Sequence, residues 1–292
     1  METKILSGRE VSKFYKNKIR KNILDLKKKG IIPGLAVVLV GDDPASKIYV
    51  NSKSRTCSKL GIFSKTLTYS NKITQVKLIT VIEKLNKDKQ INGILVQMPL
   101  PSHIDEFEII NCILPEKDVD GFHPENLGKL VIGKESFVSC TPAGILAILK
   151  YYNISVEGKH VVIIGRSNIV GKPLLNLLYQ KNDFGNATVT ICHSKTKNLS
   201  KITSQADILI VAAGNPNMIT VDMIKEGSVI IDVGINRIKD ESTKKGYRIV
   251  GDVDFEGVKN KVSAITPVPG GVGPMTITML MQNTLEATLR TI

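Results

Sequence analysis

The 292-residue chain is 42% hydrophobic, has four cysteines and no tryptophan, and carries a formal net charge of +13. No apolar run approaches the roughly 18 residues a membrane span needs, and the start, Met1-Glu-Thr-Lys-Ile-Leu-Ser-Gly8, shows neither a signal core nor an Arg/Ser-rich leader, so a cytoplasmic globular protein of two domains is expected. The positive charge invites a nucleic-acid partner, yet it lies on apparent exposed helix faces, Lys13 to Lys29 and Lys84 to Lys89, without interleaved aromatics; neither nucleic acid nor membrane is expected as a partner.

The first half alternates helical and extended signals. A basic helix over Val11–Lys28 precedes a strand at Gly34–Val40, a helix at Ala45–Leu60 and a strand at Ser64–Tyr69. A helix at Gln75–Leu85, a strand at Ile91–Gln97 and a helix near Ile104–Ile113 complete an α/β unit. Composition then turns loop-like from Gly121 to Gly133, where the domain joint is expected, and a helix follows from Pro142 to about Tyr152.

Several residues of this half suit chemistry. In Gly41-Asp-Asp-Pro-Ala-Ser46-Lys-Ile-Tyr49-Val-Asn-Ser-Lys53, Tyr49 and Lys53 share one helical face, offering a ring to stack on and a group that can carry protons. By spacing alone, they also suit an ordinary surface pair. Gln97 closes a mostly apolar strand, at the end that faces the ligand crevice in open α/β sheets, before Met98-Pro-Leu-Pro101 stops it. Asp118 and Asp120 follow in Pro115-Glu-Lys-Asp-Val-Asp-Gly121. Either could accept paired hydrogen bonds from an amidine-like group, or simply cap a turn.

The second half carries strands Val161–Ile164, Thr188–Cys192, Ile208–Ala212, Val229–Val233 and Val262–Ile265, continuously apolar as strands covered on both faces are, so a parallel sheet is implied. Within Lys159-His-Val-Val-Ile-Ile-Gly165-Arg-Ser-Asn-Ile-Val-Gly171, the first strand meets a glycine, a polar turn and a second glycine before a Leu-rich helix. Such a turn offers backbone N–H groups to a phosphate, and Arg166 could clamp a further one. Thr266-Pro-Val-Pro-Gly-Gly-Val-Gly-Pro-Met-Thr276 holds three prolines and three glycines, which suits a loop folded over a ligand, and the helix from Gly273 is expected to return to the first domain. Cys57, Cys112, Cys140 and Cys192 lack metal or disulfide spacing and read as reduced core residues; His103, His123, His160 and His193 show no metal spacing, so no metal is expected.

Taken together, five ordered segments resemble the bifunctional methylenetetrahydrofolate dehydrogenase/methenyltetrahydrofolate cyclohydrolase family over nearly the whole chain: Val40–Lys53, Gln97–Pro101, Pro115–His123, Gly165–Pro173 and Pro269–Thr276. The resemblance implies two α/β domains flanking a cleft, the second a Rossmann-like doubly wound parallel sheet. The folate-binding catalytic domain would span residues 1–121 plus 274–292 and the coenzyme domain 122–273. It implies that Lys53 is the catalytic lysine, that Gln97 tunes it, that Tyr49 packs on the folate and that Asp120 holds the pterin. Ser46, Pro269, Gly270 and Gly271 join Tyr49 and Asp120 on the substrate side.

The same likeness puts Gly165, Arg166 and Ser167 at the coenzyme phosphates, Ile235 near the nicotinamide and Ser194 where the adenosine is read. An NAD enzyme would favour an acidic residue in that last turn; Ser194 and Lys195 stand there instead, so NADP is the expected cofactor. Expected partners are tetrahydrofolate derivatives, including polyglutamylated ones, and a second copy of the chain in a homodimer. The expected chemistry is oxidation of 5,10-methylenetetrahydrofolate followed by hydrolysis to 10-formyltetrahydrofolate. A dehydrogenase lacking the hydrolase step, or a folate- or nucleic-acid-binding protein without catalysis, are the alternatives.

Overall fold

The computed structural model describes residues 2–243 and 246–292. In chain order the elements begin with β1 (Lys4–Ile5), α1 (Gly8–Lys28), β2 (Gly34–Val40), α2 (Pro44–Leu60), β3 (Phe63–Tyr69), α3 (Gln75–Lys87), β4 (Gly93–Val96) and α4 (Glu106–Asn111). They continue with α5 (Pro124–Val131), α6 (Cys140–Tyr151), β5 (His160–Ile164), α7 (Gly171–Tyr179), β6 (Thr188–Cys192), α8 (Leu199–Thr203) and β7 (Ile208–Val211). The last are β8 (Val229–Asp232), β9 (Asn236–Lys239), β10 (Tyr247–Val250), α9 (Phe255–Val258), β11 (Ala264–Ile265) and α10 (Val272–Leu289).

The chain forms two compact units. One takes in residues Phe14–Cys140 and Ile277–Ile292, the other the residues up to Lys13 together with Thr141–Thr276. In the first unit, the described strands form a parallel sheet in the order β3-β2-β4. All seven residues of β2 are buried, as its unbroken Leu-Ala-Val-Val-Leu-Val run requires. Leu78, Ile82 and Leu85 of α3 and Ile109 of α4 pack with Ala36, Val38, Ile94 and Val96 into one core. From β2 the chain passes to one neighbour and then to the other, so β2 and β4 bracket a switch point, and their carboxyl ends open onto it.

In the second unit the sheet runs β1-β11-β8-β7-β5-β6, every pairing parallel. This is the expected doubly wound order, reversing between β5 and β7, and its core joins Val162, Ile164, Leu209, Val211, Ile230 and Ile265. An antiparallel hairpin, β9 with β10, was not legible in the sequence.

Three expectations change. The stretch Gly121–Gly133 is not loop throughout: Pro124 opens α5, capped by His123, whose Nδ1 accepts the Glu125 N–H at 3.1 Å. The terminal residues up to Lys13 group with Thr141–Thr276 because β1 adds to the edge strand β11, and residues 122–140 group with Phe14–Cys140. Cys57, Cys140 and Cys192 are buried free thiols, whereas Cys112 is only half-buried. Residues Ile277–Ile292 of α10 and its tail group with the β2–β4 unit.

Candidate active site

In the β2–β4 unit, β2 ends at Val40 and α2 starts at Pro44, after three connecting residues. Asp43 is its N-cap, accepting the Ser46 N–H at 2.7 Å, and Pro44 pre-sets the first turn. That start fixes which residues face the sheet: Ser46, Val50, Lys53 and Cys57 are buried, while Tyr49 is 44% exposed on the adjoining stripe. A buried lysine needs a partner, and Lys53 has one. Its Nζ donates to Gln97 Oε1 at 2.9 Å, just past the end of β4. Gln97 is itself oriented, because its Nε2 donates to the Met98 carbonyl at 2.7 Å and so turns the carbonyl oxygen to the lysine.

The 118–120 segment reaches the same strand ends. A parallel bridge joins Ile94 to Asp118, and Asp120 follows in the turn after it, near enough to Lys53 for the lysine charge to act on its carboxyl. The two aspartates have opposite surroundings. Asp118 is 1% exposed and its carboxylate accepts the N–H groups of Gly121, Phe122 and His123 and the Asn126 Nδ2, at 3.2, 3.3, 2.8 and 2.9 Å. It is fully used in building the turn. Among the described residues Asp120 has one donor, the Cys140 thiol, 3.7 Å away. Burial pushes its carboxyl up to about 6, an effect that the Lys53 charge opposes and the Asp118 charge reinforces. The Cys140 thiol is raised well above its ordinary range, first by burial and then by Asp120, so it stays protonated as a donor.

In the second unit, the turn from β5 to α7 is built on two glycines. Gly165 has φ +120°, and a Cβ on it would lie 2.3 Å from the Ala212 carbonyl oxygen at the end of β7. A Cβ on Gly171 would lie 2.0 Å from the Gly165 carbonyl oxygen. Both glycines therefore serve the close packing of the turn itself. Arg166 and Ser167 are exposed at its tip. Ser167 Oγ accepts the Val170 N–H at 3.1 Å, leaving its own proton to donate. On the neighbouring strand, His193 Nδ1 accepts the Lys195 N–H at 3.1 Å and its N–H bonds Thr196 Oγ1 at 2.9 Å, a tight turn that presents Ser194 and Lys195 to solvent. A cavity of about 180 Å³ is lined by Ile235, Pro269, Gly270 and Gly271, with Arg9 beside them.

The family described as tetrahydrofolate dehydrogenase/cyclohydrolase matches along the chain, its catalytic domain over residues 6–120 and its NAD(P)-binding domain over residues 139–292. The chain belongs to this family. A bifunctional protein FolD from Pelodictyon phaeoclathratiforme is 56% identical over 97% of both chains. The bifunctional methylenetetrahydrofolate dehydrogenase/cyclohydrolase from Campylobacter jejuni superposes with a TM-score of 0.94 at 49% identity, covering 99% of this chain and 100% of the other. The enzyme from Trypanosoma brucei, solved with NADP and an inhibitor, gives a TM-score of 0.94 at 35% identity, covering 100% of this chain and 99% of the other.

Within this family member, the structure brings Lys53, Gln97 and Asp120 together, while Tyr49 and Ser46 lie one and two turns before the lysine on α2. Arg166 and Ser194 stand on the turns after adjacent strands β5 and β6. Sequence reasoning missed the groups that hold these residues. Asn283 of α10 donates to the Val119 and Val138 carbonyls at 2.9 and 3.0 Å and lies 3.9 Å from Cys140 Sγ. It sits inside an apolar helix, and a buried amide at such a position was the available signal. A second missed group, Asp232 with Asp252, was marked by the pairs Asp232-Val-Gly234 and Gly251-Asp252.

Proposed function

We propose that the protein oxidises 5,10-methylenetetrahydrofolate with NADP and hydrolyses the resulting 5,10-methenyl compound to 10-formyltetrahydrofolate. The carrying observation is the buried Lys53 held by Gln97 beside Asp120, a carboxyl with one thiol donor among the described residues. A lysine and a carboxyl so placed match a substrate with an amidine-like ring edge and a reacting carbon that becomes cationic. In this reading Asp120 takes two hydrogen bonds from the pterin, Tyr49 stacks on the adjoining ring and Ser46 completes the substrate contacts. Pro269, Gly270 and Gly271 are likewise assigned to the folate.

NADP, when bound, supplies the hydride acceptor. Gly165, Arg166 and Ser167 are assigned to its phosphates, Ile235 to its nicotinamide and Ser194 to its adenosine end. The fit rests on the exposed cations Arg166 and Lys195, the spare Ser167 proton and the absence of a carboxylate between His193 and Lys197. Removing hydride from the bridging carbon leaves a cation stabilised by a folate nitrogen, so that step needs positioning and no protein base. Hydrolysis is different. Water adds to the cationic carbon and releases one proton to solvent, the new hydroxyl then gives up its proton as a folate nitrogen gains one, and the carbon–nitrogen bond opens to leave the formyl group. Lys53 is the group placed to carry protons between oxygen and nitrogen, and Gln97 holds its Nζ in one position while it does so.

The test follows reduced coenzyme and methenyl product separately, in the native protein and in Lys53→Met. The native chain should reduce NADP⁺ without methenyl product accumulating in step. Lys53→Met should abolish hydrolysis and let methenyl compound accumulate as coenzyme is reduced. Stoichiometric accumulation in the native chain would leave a dehydrogenase alone, and equal loss of both activities with unchanged substrate affinity would refute the role of Lys53. The family likeness also supports a cytoplasmic homodimer acting on polyglutamylated folates, and sedimentation of the purified chain tests the dimer.

A further inference from the structure

Two buried aspartates in the β5–β8 region are used by nothing described above. Asp252 is 0% and Asp232 3% exposed. Asp232 closes β8 and accepts the N–H groups of Gly234, Asp252 and Val253 at 2.9, 3.0 and 3.0 Å. Asp252 accepts the N–H groups of Ala213 and Gly214 at 2.7 and 2.9 Å through Oδ2, and the Asn236 Nδ2 at 2.8 Å through Oδ1. Each carboxylate is seated against a glycine. A Cβ on Gly251 would lie 1.8 Å from Asp232 Oδ2, and one on Gly234 would lie 2.4 Å from Asp252 Oδ1.

The consequence lies in what these contacts hold. Ile235 stands between Gly234 and Asn236, and both of those residues touch Asp252, so the exposed Ile235 is pinned from either side in sequence. Ala213 and Gly214 follow Ala212, whose carbonyl is the wall against which Gly165 packs. One buried carboxylate thus holds the segment after β7 that walls the Gly165 turn and the segment after β8 that carries Ile235. Charge-assisted bonds to backbone N–H groups in a water-free site are strong and directional, and they cannot be replaced by solvent.

We infer that Asp252, seated on Gly234 and supported by Asp232, is a positioning residue of the coenzyme site: it sets the separation between the Gly165 turn and Ile235 and thereby coenzyme affinity. This rests on the NADP reading above. Hydrolysis of the methenyl compound uses no coenzyme, and that separates positioning from general structural support. Asp252→Ala should raise the KM for NADP⁺ roughly ten- to hundred-fold, the effect of stranding buried donors, while cyclohydrolase turnover and the KM for the methenyl substrate stay within about two-fold. Asp252→Asn should recover most of the affinity, because its carbonyl oxygen can face Ala213 and Gly214 while Asn236 turns its amide to accept. Asn236→Ala, a milder change that leaves both backbone donors bonded, should raise the KM for NADP⁺ about three- to ten-fold.

Unchanged NADP⁺ affinity in either alanine variant overturns the inference, as does a parallel fall of both activities in Asn236→Ala. If Asp252→Ala does not fold, Asn236→Ala and Asp252→Asn decide. A native protein that hydrolyses methenyltetrahydrofolate yet shows no NADP⁺ binding by titration would defeat the coenzyme reading itself, a different result from affinity present in the native chain and untouched in the variants.

Discussion

Replacing Asp120 by asparagine should make the protein more stable at neutral pH and less active. The carboxyl is pushed from 3.8 up to about 6 in the folded chain, chiefly by burial. The unfolded chain ionises near the ordinary value, so between about pH 4 and pH 6 rising pH charges the unfolded state first and drains stability from the fold. Below that window both states are protonated and the stability is fully present; above it the loss is complete. A shift of about two units corresponds to a ceiling of about 3 kcal/mol at roughly 1.36 kcal/mol per unit. The side chain is only half-buried and asparagine changes the Cys140 contact, so a gain of about 1–2 kcal/mol at pH 7.5 is the expectation. For a chain of this size that is about 2–6 °C in thermal midpoint. Scans of both proteins at pH 4.5 and 7.5 measure it. Asp232, also raised to about 6 by burial, titrates in both proteins and cancels in the difference. An equal difference at the two pH values, or a less stable asparagine variant at pH 7.5, would refute the reasoning.

Two further outcomes follow from the same geometry. Asp118→Ala should have the opposite sign, destabilising the fold by about 3 kcal/mol or more as measured by denaturant titration, because four donors in a buried turn lose their acceptor. Arg166→Ala should weaken NADP⁺ by roughly ten- to hundred-fold and NAD⁺ far less, read from the KM for each coenzyme, since only the former carries the extra phosphate a guanidinium would clamp. Equal effects on both coenzymes would remove that assignment.

Much of this was legible in the residues. The strands Gly34–Val40 and Ile208–Val211 lie where the apolar β-branched runs put them, because a strand buried on both faces leaves no room for polar alternation. The helix at Pro124–Val131 was not legible: its Glu-Asn-Leu-Gly-Lys-Leu-Val sequence follows a proline and contains a glycine, and what recruits it is Asn126, bonded to the Pro115 carbonyl and to Asp118. The hairpin of β9 and β10 was hidden because Asn-Arg-Ile-Lys and Tyr-Arg-Ile-Val are too short and too polar to stand out. In the site, helical spacing put Tyr49 and Lys53 near one another, but the Lys53–Gln97 bond joins residues 44 apart and needed the β2–β4 pairing to bring it about.

The choice between Asp118 and Asp120 shows what local sequence leaves open. Both stand in Lys117-Asp-Val-Asp-Gly121, and either suited a turn or a ligand. The difference is the number of donors each has met. Asp118, like Asp232 and Asp252, is saturated by backbone N–H groups and amides, so its charge is spent within the fold. Among the described residues Asp120 meets one thiol and Lys53 one amide oxygen, so each keeps hydrogen-bonding capacity. Folding alone would favour neutral residues at both positions, since half-satisfied buried charge is costly. Under the proposed function a ligand supplies what is missing: donors for the carboxylate, and an oxygen and a nitrogen between which the lysine can pass a proton. For the same reason Asp120→Asn is expected to trade function for stability, whereas Asp118→Ala loses stability outright.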